Sequence, residues 1–298
     1  MRLNNLTTEK QNKKSLILDQ LKTKQIIHLM NKEDQNVPLA VSKVTSKISL
    51  AVDLIIKSFK QGGKLLYIGA GTSGRLGVLD AAECVPTFNI KPKMVQGIIA
   101  GGTKALTTSV EGAEDKTGLA IRDLKKHKLT NKDTVIGISA SGRTPYVIAA
   151  LDYAKKIKAN TISLACNLKA KISSHAEVNI EINNGPEILS GSTRLKAGTS
   201  QKMVLNMLST ASMIRLGKVY QNLMVDVKPT NEKLNKRAKR IIMQATGCNF
   251  ATAQNIFIKA NKNVKLAIVM LKTHLDKKEA LYKLKLAKGF VRKAIKNR

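Results

Sequence analysis

Short apolar runs alternate with helical patterns through the middle of the chain. Five runs predict buried strands: KLLYIGA (64–70), MVQGIIA (94–100), TVIGISA (134–140), NTISLAC (160–166) and EVNIEI (177–182). The spacing of apolar residues between them predicts helices at 75–82, 103–125 and 145–158. Apolar strands separated by helices are typical of a parallel sheet covered on both faces, so the sequence predicts an α/β fold.

The segments on either side of this core have a different character. Residues 1–37 are polar and partly helical in pattern, and a helical stretch starts at Pro38 and stops at the glycine pair 62–63. A glycine- and serine-rich loop, 183–199, leads into a helix at 200–218, and no strand pattern follows residue 231. We therefore expect an N-terminal helical arm (1–37), an α/β domain (38–230) and a small all-helical domain (231–298).

Charge is the most unusual property of the composition. Lysine and arginine total 52 against 20 acidic residues, a net charge of +32, and the segment 231–298 holds 18 basic and 3 acidic residues. The start of the chain has no apolar core of a signal peptide, and no apolar run is long enough for a membrane helix. Three distant cysteines predict neither a disulfide framework nor a zinc site. We expect a soluble, cytoplasmic protein with no membrane partner.

Three loops combine glycine with hydroxyl side chains, and two of them directly follow predicted strands. They are GAGTSGR (69–75), SASGRT (139–144) and SGSTR (190–194). Glycine lets the backbone approach a ligand, and N–H groups at a helix start attract an anion. The first loop lacks the nucleoside-triphosphate pattern GxxxxGK[ST], and although it has the spacing GxGxxG, it is not followed by the ribose-binding acid of the dinucleotide motif. They indicate a phosphate on a small polar molecule, although each alone could be an ordinary turn.

Two carboxylates stand in suggestive positions. Glu83 follows the first loop in DAAECVP (80–86), and Glu114 lies in VEGAED (110–115), which follows the glycine pair 101–102. Paired carboxyl groups can divide general acid and base work, whereas an exposed helix carboxylate is the alternative for each of them. The four histidines share no spacing, and we interpret them as surface residues.

Several motifs together resemble a known family. GAGTSGRLG (69–77) and SASGRTPYVIAAL (139–151) are similar to loops of sugar isomerase (SIS) domains, which bind phosphosugars. The resemblance is closer to the N-acetylmuramic acid 6-phosphate etherases, through segments in the same order along the chain: LDAAECVPTF (79–88), IAGG (99–102), VEGAEDK (110–116), GSTRLKAGTSQKMVLNMLST (191–210), NLMVDVKPTNEKL (222–234) and ATGC (245–248). It covers nearly the whole chain.

This resemblance implies a doubly wound, flavodoxin-like SIS domain followed by a small helical domain, in a homodimer that needs no metal or organic cofactor. It implies cleavage of the D-lactyl ether of the amino sugar, with Glu83 as proton donor and Glu114 as base. The expected substrate-binding residues are Thr72, Ser73, Ser139, Ser141 and Thr144 for the phosphate, with Ser192, Thr193, Arg194 and Lys196 as weaker candidates for the phosphate or the lactyl carboxylate. Arg75 and Arg143 could bind the substrate or form structural ion pairs.

Three other functions compete with this interpretation. The high positive charge would suit a nucleic-acid binder, but aromatic residues are only 3% of the chain and stacking platforms are scarce. We therefore expect no specific nucleic-acid partner. A phosphosugar sensor would not need both Glu83 and Glu114. A sugar isomerase would share proton removal at C2 but release no lactate.

Overall fold

The computed structural model describes residues 6–229 and 231–296. The chain divides into two compact units. The first comprises the residues up to Ala82 together with Pro92–Ser209, and the second comprises Glu83–Lys91 and the chain from Thr210 onward. The all-helical segment that starts at 231 belongs to the second unit. The domain boundaries at 37 and 230 stay a prediction.

A parallel five-stranded sheet forms the centre of the first unit. All five strands lie within the segments predicted from the sequence: β1 (Leu65–Gly69), β2 (Val95–Ile99), β3 (Thr134–Ser139), β4 (Asn160–Ala165) and β5 (Val178–Glu181). Their order across the sheet is β2-β1-β3-β4-β5, and every neighbouring pair is parallel. This is the order of flavodoxin-like doubly wound folds. The predicted fold class is confirmed.

Helices accompany these strands in the first unit. Three helices precede β1 in the chain: α1 (Thr23–Asp34), α2 (Asn36–Ser42) and α3 (Thr45–Lys60). Three connect successive strands from β1 to β4: α4 (Gly71–Phe88), α5 (Thr117–Lys126) and α6 (Pro145–Lys156). The helix α7 (Lys196–Arg215) follows β5. The C-terminal ends of α4 and of α7 belong to the second unit. Strand β3 is buried at every position, so its apolar run reflects helices packed on both faces.

The prediction of a helix over 103–125 is wrong in its first half. Two short 3-10 helices, Thr103–Leu106 and Ala113–Asp115, occupy this stretch, and α5 begins only at Thr117. Gly112 has a φ of +69°, a left-handed conformation that no α-helix interior contains. The apolar spacing therefore continues past a residue through which an α-helix cannot run. Glu114 lies two residues after that glycine, on the 3-10 helix Ala113–Asp115.

The second unit contains the C-terminal helices. They are α8 (Glu232–Thr246), α9 (Phe250–Lys259), α10 (Val264–Thr273), α11 (Lys277–Leu286) and α12 (Val291–Lys296), with no strand in the described part beyond residue 231. Side chains of Asn231, Asn249, Asn263 and Asp276 accept a backbone N–H at the starts of the first four, as N-cap residues do. Gly247 ends α8 in the left-handed conformation. The prediction of a helical segment is confirmed.

None of the described helices is long and apolar enough to span a bilayer. Among residues 6–229 and 231–296, no three His, Cys, Asp or Glu side chains are grouped so that they could hold a metal ion. The three cysteines form no disulfide.

Candidate active site

The carboxyl ends of β1 and β3 define a crevice at the edge of the sheet. The chain runs outward from β1 to β2 and then returns past β1 to β3, so the direction of winding reverses between β1 and β3. Ligands of open α/β sheets bind at such a reversal, beyond the carboxyl ends of the strands. The loop at 70–75 follows β1 and the loop at 139–144 follows β3. The fold thus places the two glycine- and hydroxyl-rich loops side by side.

The first loop is held close to its strand by glycine. A Cβ on Gly74 would lie 2.7 Å from the carbonyl oxygen of Gly69, so only glycine allows this approach. Ser73 is buried, and its hydroxyl donates to Oε1 of Gln201 on α7 at 2.9 Å. Thr72 is half-buried, and its Cγ2 lies 3.4 Å from where a Cβ on Gly198 would stand. The first loop therefore contacts the start of α7.

The second loop brings three predicted hydroxyls together. The Ser139 Oγ lies 2.8 Å from Oγ1 of Thr144 and 3.4 Å from Oγ of Ser141, and it accepts the N–H of Gly142 at 3.0 Å. Thr144 is the N-cap residue of α6, but its side chain does not cap the helix. Pro145, the first residue of α6, has no N–H, and the N–H groups of Val147 and Ile148 donate to the carbonyl oxygen of Thr144. The hydroxyl groups are therefore what this loop offers to a phosphate.

Buried residues from distant parts of the chain support this loop. Asn167 donates to the carbonyl oxygen of Ala140 at 3.1 Å and to Oγ1 of Thr8 at 3.0 Å, and it accepts the Thr8 N–H at 3.3 Å. Through Asn167, the N-terminal segment is therefore hydrogen-bonded to the backbone of the second loop. Neither Thr8 nor Asn167 carries a local sequence signal, and both were missed by the sequence analysis.

Glu114 lies beside the first loop, at the carboxyl ends of β1 and β2. It is exposed on the 3-10 helix Ala113–Asp115, and it lines a cavity of about 140 Å³ together with Arg75 and Glu111. The Arg75 Nε donates to the carbonyl oxygen of Leu106 at 3.1 Å. Neither Arg75 nor Arg143 forms an ion pair within the described ranges, so structural ion pairs are not what holds them.

Just after the third loop, the start of α7 is bound by two buried carboxylates, Glu187 and Glu33, that the sequence did not indicate. Glu187 accepts the N–H groups of Lys196 and Ala197, both at 2.9 Å, and so caps the start of α7. The Lys196 ammonium is buried and donates to Glu33 at 2.8 Å. Burial raises the pKa of Glu187, despite these backbone hydrogen bonds.

Glu33 is the centre of a buried polar network. Besides Lys196, it accepts from Asn12 at 2.8 Å and from Lys14 at 2.9 Å. Burial would raise the pKa of the Glu33 carboxyl, but the hydrogen bonds from Lys196, Lys14 and Asn12 lower it to about 2. The ammonium of Lys196 therefore already has a hydrogen-bond partner within the protein. The other two predicted binding residues of this region are more accessible, because Ser192 is half-buried and Arg194 is exposed.

Glu83 lies on α4 and is exposed, in the part of that helix that belongs to the second unit. One turn earlier, in the first unit, Asp80 accepts from the hydroxyls of Tyr67 at 2.8 Å and Ser209 at 3.0 Å. Burial raises the pKa of Asp80. These hydrogen bonds fix the rotation of α4 about its axis within the first unit, one turn before Glu83.

Two families of SIS domains match parts of the chain. The family described as Glucokinase regulatory protein N-terminal SIS domain matches residues 47–155, and the SIS domain family matches residues 116–211. Among solved structures, a phosphoheptose isomerase from Francisella tularensis has a TM-score of 0.51 at 12% identity, covering 65% of this chain and 100% of that one. An Escherichia coli CFT073 protein has a TM-score of 0.50 at 19% identity, covering 68% and 97%. At these identities the likeness shows the fold alone.

Relatives with much higher identity share the length of the chain. The N-acetylmuramic acid 6-phosphate etherase 2 of Lactiplantibacillus plantarum is 62% identical over 99% of this chain and 100% of its own. The N-acetylmuramic acid 6-phosphate etherase of Oenococcus oeni is 61% identical over 99% of each chain. That of Bacillus cereus strain G9842 is 59% identical over 98% of this chain and all of its own.

Proposed function

The chain belongs to the N-acetylmuramic acid 6-phosphate etherase family, and from this premise we propose how its residues perform the reaction. The enzyme cleaves the D-lactyl ether of N-acetylmuramic acid 6-phosphate, giving N-acetylglucosamine 6-phosphate and D-lactate, in amino-sugar catabolism and cell-wall recycling. The observation that carries this function is the high identity over the full length of both chains. The paired loops at the strand reversal agree with a phosphosugar substrate.

The chemistry of the substrate dictates what the site must supply. An alkyl ether resists direct displacement because its alkoxide is a poor leaving group. Opening of the sugar ring exposes an aldehyde at C1, and this aldehyde acidifies the proton on C2. Removal of that proton expels lactate from C3, with its ether oxygen, and leaves an unsaturated aldehyde. Water then adds at C3, and a proton returns to C2.

We assign the base at C2 to Glu114 and the acid at the ether oxygen to Glu83. Glu114 is supported by its place in the cavity at the ends of β1 and β2, beside the first glycine-rich loop. The assignment of Glu83 rests on the family resemblance, together with its exposed position on α4. Two carboxyl groups can divide the acid and base steps because each step needs the opposite protonation state.

The phosphate is assigned to the second loop. The hydroxyls of Ser141 and Thr144 both lie within 3.4 Å of the Ser139 hydroxyl, close to the start of α6. Thr72 and Ser73 of the first loop are secondary candidates. Ser192 and Arg194 are candidates from the third loop, and for Lys196 a direct contact would require it to leave Glu33.

Replacing Ser141 with Ala should raise KM for the phosphorylated substrate by about tenfold or more, because a hydrogen bond to a charged group contributes roughly 1.5–3 kcal/mol. The Ser141 hydroxyl makes only long contacts within the protein, at 3.3 and 3.4 Å, so the fold should not change. Steady-state kinetics with the phosphorylated and the unphosphorylated sugar would measure this effect.

The control for this variant is Ser174→Ala, which removes an exposed hydroxyl bound only to the Lys171 carbonyl oxygen. It should leave both substrates unaffected. If Ser141→Ala kept the full preference for the phosphorylated sugar, the phosphate would not lie at the second loop.

We also propose that the enzyme works as a cytoplasmic homodimer. Five large aliphatic side chains of the first fifty residues are more than half exposed: Leu16, Ile17, Ile27, Leu39 and Leu50. Exposed aliphatic side chains of this kind suit a second copy of the chain. Three cysteines without a disulfide suit a reducing compartment. The mass of the protein in solution tests the dimer.

A further inference from the structure

The cavity beside Glu114 has an apolar floor. Ala100, Ala105 and Ala113 are buried there, and Ala70 and Val110 complete the apolar part of its lining. Ala100 and Ala113 belong to the apolar core that packs against the sheet. The floor is therefore part of the packed interior, and it is preformed rather than assembled around a ligand.

The rim of the same cavity carries groups of both charges. Arg75 is held by one hydrogen bond to Leu106, and its other guanidinium N–H groups have no protein partner in the described ranges. Glu111 accepts from Ser109 at 2.6 Å, and Glu114 lies next to it in the lining. One cation and two carboxylates disfavour an anion in this cavity. They suit an uncharged group that both donates and accepts hydrogen bonds.

We propose that this cavity binds the acetamido group on C2 of the substrate, an inference that rests on the proposed etherase function. The acetyl methyl group contacts the alanine floor. The amide carbonyl oxygen accepts from Arg75, and the amide N–H donates to the Glu111 carboxylate. A volume of about 140 Å³ is ample for a group of this size.

Two consequences agree with the rest of the site. C2 carries both the amide nitrogen and the proton to be removed, so seating the acetamido group here brings that proton to Glu114. Neighbouring strands lie about 4.8 Å apart, so the cavity at β1 and β2 is on the order of 5–10 Å from the loop after β3. The phosphate and the C2 substituent of one six-carbon sugar span a comparable distance.

The test compares two substrates that differ only at C2. One is N-acetylmuramic acid 6-phosphate, and the other carries a hydroxyl in place of the acetamido group, as 3-O-lactylglucose 6-phosphate. Wild type should prefer the acetamido substrate by about 100-fold in kcat/KM, from hydrogen bonds to charged groups and methyl burial. Arg75→Met should reduce that preference, measured as the ratio of kcat/KM for the two substrates, at least tenfold.

Each alternative gives a different result. If Arg75 instead bound the lactyl carboxylate, Arg75→Met would lower activity on both substrates equally, and the proposal would be overturned. Ala105→Val, which narrows the cavity, should likewise lower the preference for the acetamido substrate. The matched control is Arg122→Met, an exposed arginine on α5. Lactate from neither substrate with wild type would refute the etherase function, whereas equal rates with both would refute only the acetamido site.

Discussion

Replacing Glu114 with Gln should reduce lactate release at least ~100-fold, the lower end of the range for general acid–base catalysis. The same variant should no longer exchange the C2 proton of the substrate with solvent deuterium, because the amide cannot accept that proton. Glu83→Gln should also lose lactate release, yet it should still exchange the C2 proton, since its role begins at the ether oxygen. Nuclear magnetic resonance of the substrate in D2O, alongside a lactate assay, would separate the two steps.

Asp115→Asn provides the matched control for this experiment. Asp115 is an exposed carboxylate next to Glu114 on the same 3-10 helix, and it has no assigned role. It should retain near wild-type exchange and lactate release. Rapid C2 exchange by Glu114→Gln would contradict the assignment of Glu114 as the base. If Glu83→Gln lost the exchange while Glu114→Gln kept it, the two roles would be reversed.

Replacing Lys196 with Met should destabilise the protein by about 3 kcal/mol, the lower end of the range for removing one partner from a buried ion pair, because Lys14 still pairs with Glu33. Glu33 would stay buried with Asn12 and Lys14 as its remaining partners. Urea unfolding would measure the change. Lys43 is an exposed lysine that lines a cavity of about 630 Å³ together with Glu33 and Lys196, and Lys43→Met should change stability by less than about 0.5 kcal/mol. The double variant Glu33→Gln, Lys196→Met should recover part of the loss.

The same ion pair gives the stability a definite pH dependence. The pKa of Glu33 falls from its ordinary value of 4.5 to about 2 in the folded protein. Its contribution is therefore fully present above about pH 4.5 and disappears as the pH falls toward 2. The decline should be smaller in Lys196→Met, because the pKa of Glu33 in the folded protein moves back toward its ordinary value when that partner is removed. If Lys196→Met unfolded at the same urea concentration as wild type and lost stability at low pH to the same extent, this account of Lys196 would be wrong.

The strands and the first two loops were predictable because their signals are local. A strand buried on both faces must be apolar along its length, and the loop after it must tolerate close backbone contacts. Those two rules locate β1 and β3 with the glycine-rich turns that follow them. The crevice then follows from the strand order.

The helix predicted over 103–125 and the buried networks show what such rules miss. Apolar spacing persists through 103–115, but no continuous α-helix forms there because Gly112 has a left-handed backbone conformation. Only the structure shows that conformation. Glu33 meets Lys196 across 163 positions of sequence, and Thr8 meets Asn167 across 159. Pairs of this kind depend on the assembled fold, so nothing near Glu33 or Thr8 in sequence marks them.

The most direct test of the central claim is to run the wild-type reaction in water labelled with oxygen-18. Elimination breaks the bond between C3 and the ether oxygen, and water then adds at C3. The account predicts one labelled oxygen at C3 of N-acetylglucosamine 6-phosphate and an unlabelled D-lactate, in equal amounts. Label in the lactate, or no lactate from folded protein that binds the sugar phosphate, would contradict it.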